Sequence, residues 1–223
     1  MHESAAPATP FALPALASQL EGEGADAVLA WAKGQFGDSM ALACSFQDCV
    51  IVDLVIRHLP TLEVIFLDTE AHFPETLAYV EQVRQRYGLK LTVTEPRPEA
   101  DEWPCGSSQC CQWRKVEPLR LALQGKRAWI TGLKRCDAPT RAGIEVVERD
   151  EAREMVKINP LAAWSDADVE EYGRRHHLPT HPLTARGYAS IGCAPTTRPV
   201  APGADPRSGR WSESEKTECG LHT

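Results

Sequence analysis

"SMALACSFQDCVIVDLVIRHLPTLEVIFLD" occupies residues 39–68, and its three apolar runs set the fold. The first, residues 39–45, has the length of a buried strand. The second, residues 48–59, is longer and stops against Pro60, which reads as a helix. The third, residues 62–68, is rich in Val, Ile and Phe and again has strand length. Moving outward, "PETLAYVEQVRQRYG" (residues 74–88) puts Pro74 at a helix start and Gly88 at its stop, and "LKLTVTE" (89–95) supplies a third strand. Strand, helix, strand, helix, strand in this order predicts parallel pairing, because each helix crosses back over the sheet. We therefore expect an α/β protein with an open, mostly parallel sheet and helices on both faces.

Ligands of such sheets bind beyond the carboxyl ends of the strands, where the strand order reverses. Those ends carry "CSFQD" after the first strand, "LDTEAHF" after the second, and "TGLKR" after a fourth strand, "RAWITG" (127–132). Ser45 is then either a phosphate contact at the next helix start or that helix's N-cap. Upstream, a Pro/Ala-rich start precedes a helix over "ADAVLAWAKGQFG" that Gly37 stops. Downstream come a loop at 96–108, a helix over "QCCQWRKVEPLRLAL", edge strands or a hairpin at "EVVER" and "EMVKINP", and a helix at "SDADVEEYGRRH" that Ser165 can cap. Three segments follow: an N-terminal extension and helix (1–38), an α/β domain (39–196), and a Pro/Gly/Arg/Ser-rich, mobile C-terminal segment (197–223).

No run approaches the ~18 apolar residues of a membrane span, and the N-terminus lacks a basic leader, so a cytoplasmic protein is expected. The net charge of -7 argues against a nucleic-acid or membrane-surface binder. Its distribution is uneven: residues 1–100 hold 6 Lys+Arg against 14 Asp+Glu, whereas residues 101–223 hold 18 against 17. An anionic ligand would find its cations in the second half.

Eight cysteines (44, 49, 105, 110, 111, 136, 193 and 219) point in a reducing compartment to metal or redox chemistry rather than to disulfides. Cys110 and Cys111 are adjacent at a helix start and, with Cys193 in "GCAPTT", give three thiolates of a site that wants four. Arg207 and Arg210 in "PRSGRW" suit bidentate contact with sulfate or phosphate oxygens. Cys219 is the fifth residue counted back from the C-terminus in "KTECGLHT", a place where packing gains a thiol little.

Taken together, "LDTEAHFPET", "CCQWRKVEPLR", "WITGLKR", "TRAG", "VKINPLAAWSDADV", "GYASIGCAP", "DPRSGRW" and the closing "ECGLH" resemble the assimilatory sulfonucleotide reductases over residues 39–223. The cysteine pair is most similar to the iron-sulfur branch, which acts on adenosine 5'-phosphosulfate. The resemblance implies an adenine nucleotide α-hydrolase-like fold, a 4Fe-4S cluster on Cys110, Cys111 and Cys193, and thioredoxin as the protein partner. It also implies that Cys219 is the nucleophile, forming an S-sulfocysteine as AMP leaves, and that Lys115, Arg141, Arg207, Arg210 and His222 hold the substrate with Ser45. A homodimer or homotetramer would be ordinary for this family.

The chain departs from that pattern in two places. The branch reads "CxPC" where this chain reads "CAPT", so Thr196 stands at the fourth ligand position and is a poor iron ligand. Cys105 or Cys136 substitutes for it, the cluster keeps one iron without a thiolate, or no cluster forms and the 3'-phosphorylated substrate is used. The loop "SFQDC" is also about two residues short. Two other classes compete: a zinc-stabilised binding protein using Cys110, Cys111, Cys193, Cys219 and His222, and an ATP pyrophosphatase-like tRNA thiolase, whose "SGGxDS" loop this chain lacks.

Overall fold

The structure is a computed structural model that describes residues 13–212 and 216–221. Six strands form one sheet in the order β3-β2-β1-β4-β6-β5. They are β1 (Met40–Ala43), β2 (Glu63–Leu67), β3 (Lys90–Thr94), β4 (Ala128–Ile130), β5 (Val147–Asp150) and β6 (Met155–Ile158). All neighbours pair in parallel except β5, which lies antiparallel to β6 at the edge. The order reverses between β1 and β4, so the expected switch point is present.

Alternation along the strands sorts side chains into two cores. Met40, Leu42, Val64, Phe66, Ala128 and Ile130 face helices α1 (Leu13–Glu23), α2 (Ala25–Phe36), α3 (Val50–His58) and α4 (Pro74–Tyr87). Ala41, Ile65 and Trp129 face the opposite way, against Leu119 and Leu123 at and just beyond α6 (Glu117–Ala122) and against Leu221 of the C-terminal segment. Burial on both faces explains why the strands read as continuous apolar runs. Pro74 opens α4, and Gly88 closes it at φ 60, its N–H bonded to Arg84 O. Ser165 caps α7 (Asp166–Arg175) in a reciprocal box with Asp168.

Two elements differ from expectation. A second N-terminal helix, α1, packs Leu13, Ala17 and Leu20 into the main core, and Arg135 clamps it through Glu21 with two 2.7 Å bonds. The helix expected over 109–123 is wound unevenly as α5 (Ser108–Cys111), a π-turn (Gln112–Val116) and α6. Pro118 has no N–H to offer the preceding turn, and Glu117 N–H instead reaches back five residues to Gln112 O. From 197 onward no helix or strand forms among the described residues, yet the segment is tied together: Thr197 bridges Arg210, and Trp211 N–H bonds Thr196 O at 3.0 Å.

Candidate active site

The uneven helix carries the site's centre. Ser107 caps α5 by accepting from Cys110 N–H at 3.0 Å, which places Cys110 and Cys111 in its single turn, both buried. The π-turn that follows rotates Lys115 into the interior, where it is 9% exposed. Burial opposes its charge, but Cys193, Cys219 and Cys111 lie close enough to hold the ammonium above the ordinary lysine value. Cys193 arrives from the far end of the chain, fixed by Ala194 N–H to Ala71 O (2.7 Å) and by Thr69 Oγ1 at 3.5 Å from its sulfur. Arg114 ties the same loop down, donating to Thr69 O and to Asp101. The "LDTEAHF" segment thus backs the cysteine site. Cys105 joins it: its thiol, with Lys115 nearby, holds Cys193 well below the usual thiol range.

The arginines close over the same point. Arg210 is half-buried, packs 4.5 Å from the centre of the Trp211 ring, and among the described residues leaves its Nε without a hydrogen-bond partner. Burial, with Arg207 beside it, pulls its pKa below the ordinary guanidinium value, while Cys193, Cys219 and Cys111 act the other way. Gly192 makes the room, since a Cβ there would sit 2.2 Å from Arg210 Nη2. Among the described residues no carboxylate pairs with Lys115 or Arg210. Two cations drawn into the interior with no carboxylate partner among the described residues suit an anion, which would gain charge-assisted hydrogen bonds from both.

Arg141 and Arg207 are differently occupied. Glu218 accepts from Arg141 Nε and Nη2, both at 2.9 Å, from Arg207 Nη2 at 3.3 Å and from Thr140 Oγ1 at 3.1 Å. Burial opposes that carboxylate's charge, but Arg141's hydrogen bonds and the charges of both arginines hold its pKa below the usual range. Lys216 donates to Gly106 O, Ser107 O and Cys111 Sγ at 2.9, 3.1 and 3.1 Å. Leu221 O accepts from Arg153 Nη2 at 3.2 Å. Cys219, half-buried between these anchors, feels Lys115, Arg141 and Arg210.

Of the sequence-predicted residues, Cys110, Cys111, Cys193, Lys115, Arg141, Arg207, Arg210 and Cys219 come together. Ser45 lies exposed at the end of β1 and no hydrogen bond joins it to that cluster among the described residues; it is not the cap of α3 either, where Asp48 accepts from Val50 N–H at 2.9 Å. His222 lies outside the described residues. Glu218, Lys216 and Gly192 were not foreseen as site residues: each acts through a partner remote in sequence. Cys136 is elsewhere, its thiol 3.3 Å from Trp164 O. For a single metal ion, the described residues hold one group of three ligands close enough together, Cys136, Asp137 and Asp166. Lys134 already bridges its carboxylates at 2.8 and 3.1 Å. Cys110, Cys111 and Cys193 form no such group, which counts against a lone zinc among them.

Residues 39–199 match the family described as "Phosphoadenosine phosphosulfate reductase domain". The curated "Adenosine 5'-phosphosulfate reductase" of Geobacillus kaustophilus (strain HTA426) is 42% identical, covering 94% of this chain and 94% of its own. The protein of the same name from Rhodococcus opacus (strain B4) is 43% identical over 92% of this chain and 91% of its own. Among solved structures, phosphoadenylyl-sulfate (PAPS) reductase from Candida auris, a phosphate complex, aligns with TM-score 0.76 at 27% identity, over 86% of this chain and 99% of that one. Candida glabrata FMN adenylyltransferase shares the fold alone, at TM-score 0.64 and 15% identity, over 98% of this chain and 80% of that one. The sheet order, the cations gathered around the Cys219 thiol and these likenesses agree, and the chain belongs to the phosphoadenosine phosphosulfate reductase domain family.

Proposed function

We propose that this protein reduces adenosine 5'-phosphosulfate to sulfite and AMP in assimilatory sulfate reduction, with thioredoxin as the electron donor. The observation that carries the reading is the pair of cations, buried Lys115 and half-buried Arg210, that have no carboxylate partner among the described residues and stand beside the Cys219 thiol. A sulfonyl group and a phosphate leaving group are both anionic, so such cations stabilise the charge that moves between them. The Cys219 thiolate attacks the sulfonyl sulfur, the sulfur–oxygen bond to AMP breaks, and an S-sulfocysteine remains. A thioredoxin thiolate then attacks Cys219 Sγ and sulfite leaves. Thioredoxin's second cysteine resolves the mixed disulfide, and the oxidised thioredoxin has supplied the two electrons. Residues 39–196 bind the nucleotide in this reading, with Ser45, Lys115, Arg141, Arg207, Arg210 and His222 as contacts. Residues 197–223 carry Cys219 from the nucleotide to thioredoxin.

A 4Fe-4S cluster fits the thiols present. Cys110, Cys111 and Cys193 are buried and free, Cys111 and Cys193 lie beside Lys115, and a soft thiolate set suits iron and sulfide. When bound, the cluster supplies a compact negative charge against which Lys115 is held. All eight cysteines are free, which accords with a reducing compartment such as the cytoplasm, and no described helix is long and apolar enough to cross a membrane.

The test is sulfite release by anaerobically prepared protein with reduced thioredoxin, offering adenosine 5'-phosphosulfate and its 3'-phosphorylated form in parallel. Preferential turnover of the first, abolished by Cys219→Ser together with the S-sulfonated peptide, is expected. Preference for the second reassigns the substrate, and silence with both in folded protein overturns the reading.

A further inference from the structure

Thr196 leaves the cluster reading one thiolate short, and the fold brings another cysteine to its place. The turn at 104–107 presses on Thr196 so closely that a Cβ on Gly106 would lie 2.7 Å from Thr196 Cγ2 and 3.4 Å from Trp211 Cδ1. Gly106 holds φ 96, a conformation other residues rarely adopt, so both its space and its backbone demand glycine. Lys216 pins this turn through the carbonyls of Gly106 and Ser107 and reaches Cys111 Sγ from the same ammonium. The residue that enters the turn is Cys105, half-buried and next in the chain to Gly106, so it stands beside Thr196. The other candidate replacement, Cys136, is exposed and bonded to Trp164 O on a different loop.

We propose that Cys105 is the fourth protein ligand of the iron-sulfur cluster, supplying from the turn before α5 the thiolate that Thr196 cannot. The inference rests on the cluster reading above. Four sulfurs then come from three segments, the turn (Cys105), α5 (Cys110 and Cys111) and the loop at Cys193. Cys105 gives up its proton when it binds metal, as any thiol ligand must. The relocation keeps the ligand on the same side of the site, because the turn and Thr196 touch.

The experiment measures iron, acid-labile sulfide and the visible and EPR spectra of anaerobically prepared full-length protein, wild type beside Cys105→Ala, Cys136→Ala and the double variant Cys105→Ala with Thr196→Cys. Wild type should hold about four iron and four sulfide per chain. Cys105→Ala should lose iron to a chelator about tenfold faster or more, with a three-iron EPR signal on oxidation. Cys136→Ala should match wild type, and the double variant should regain the wild-type content and spectrum. Where Cys105→Ala does not fold, as read by circular dichroism, Cys105→Ser takes its place. Wild-type iron and spectrum in the folded Cys105 variant overturn the proposal and leave the cluster reading standing, as would loss of iron in Cys136→Ala. A folded double variant that regains nothing overturns the equivalence of positions 105 and 196. Wild-type protein without iron or sulfide ends both.

Discussion

Replacing Glu218 with glutamine removes one charge from the junction that docks the Cys219 segment and leaves its volume almost unchanged. The carboxylate takes two bonds of 2.9 Å from Arg141 and one of 3.3 Å from Arg207, with side-chain exposures of 15% for Glu218 and 13% for Arg141. Hydrogen bonds to charged groups contribute about 1.5–3 kcal/mol each, and an amide keeps part of the set, so the net loss is about 2 kcal/mol. At about 1.4 kcal/mol per decade, the undocked population should rise ~30-fold. Lys216 and the contacts of Leu221 remain, so the segment is loosened rather than released. The assay is native-state trypsin cleavage after Lys216, read as the peptide from 217 onward, because a lysine donating to two carbonyls and a thiol must undock to be cut. When reclosing outpaces cleavage, the rate follows the open population. The pH response has a fixed sign. Glu218 is held below its ordinary value in the docked state, so docking free energy is fully present above about 4.3 and is lost as pH falls through the docked-state pKa. Hydrogen exchange of residues 216–221 should show this loss in wild type and not in Glu218→Gln. A cleavage rate unchanged by the substitution would refute the assignment of Glu218 as the anchor.

Gly192→Ala keeps every charge but puts a methyl group where Arg210 Nη2 lies, so the guanidinium must leave its place. Isothermal titration should show AMP and adenosine 5'-phosphosulfate binding weakened by about tenfold or more, with the melting temperature little changed. Asp53 accepts from Arg57, Tyr172 and Tyr87 at 2.6, 2.7 and 2.9 Å, tying α3 to α4 and α7. Burial works against its charge, and those three partners together hold its pKa below the ordinary carboxylate value. Its stabilising effect is therefore present above about pH 4 and is lost as pH falls through the folded value, and Asp53→Asn should cost about 2–3 kcal/mol by urea denaturation at neutral pH. Equal stability of the two proteins at pH 7 would contradict this.

The sheet was legible because its evidence is local. Strand length, Pro60, Pro74 and Gly88 each act on their own neighbourhood, and alternation within β1 and β2 needs no knowledge of partners. Helix α1 escaped because its buried stripe of Leu13, Ala17 and Leu20 is short and set among alanines and a proline, with no charged first turn to mark a start. The π-turn needed Pro118 to be read through its missing N–H rather than through apolar spacing, which looks helical across 109–123. Lys115, Arg141, Arg207, Arg210 and Cys219 were found by motif likeness, and their convergence depends on the fold. Glu218 and Lys216 were missed because an acid and a base near a C-terminus carry no local sign of partners far back in the chain.

The position of Leu221 bears on how the chain folds as it leaves the ribosome. β1, β2 and β3 pair within residues 40–94 and can assemble early, whereas Leu42, already beside Val64, gains its other neighbour only when Ile130 has been made. Until then the central strand has an open edge, and pairings this distant in sequence slow the search for the native state. The second core waits longer still, because part of its cover over Trp129 and Ile65 is supplied by Leu221, made long after either of them. Until Leu221 has left the ribosome, that face therefore stays an apolar surface without its full cover.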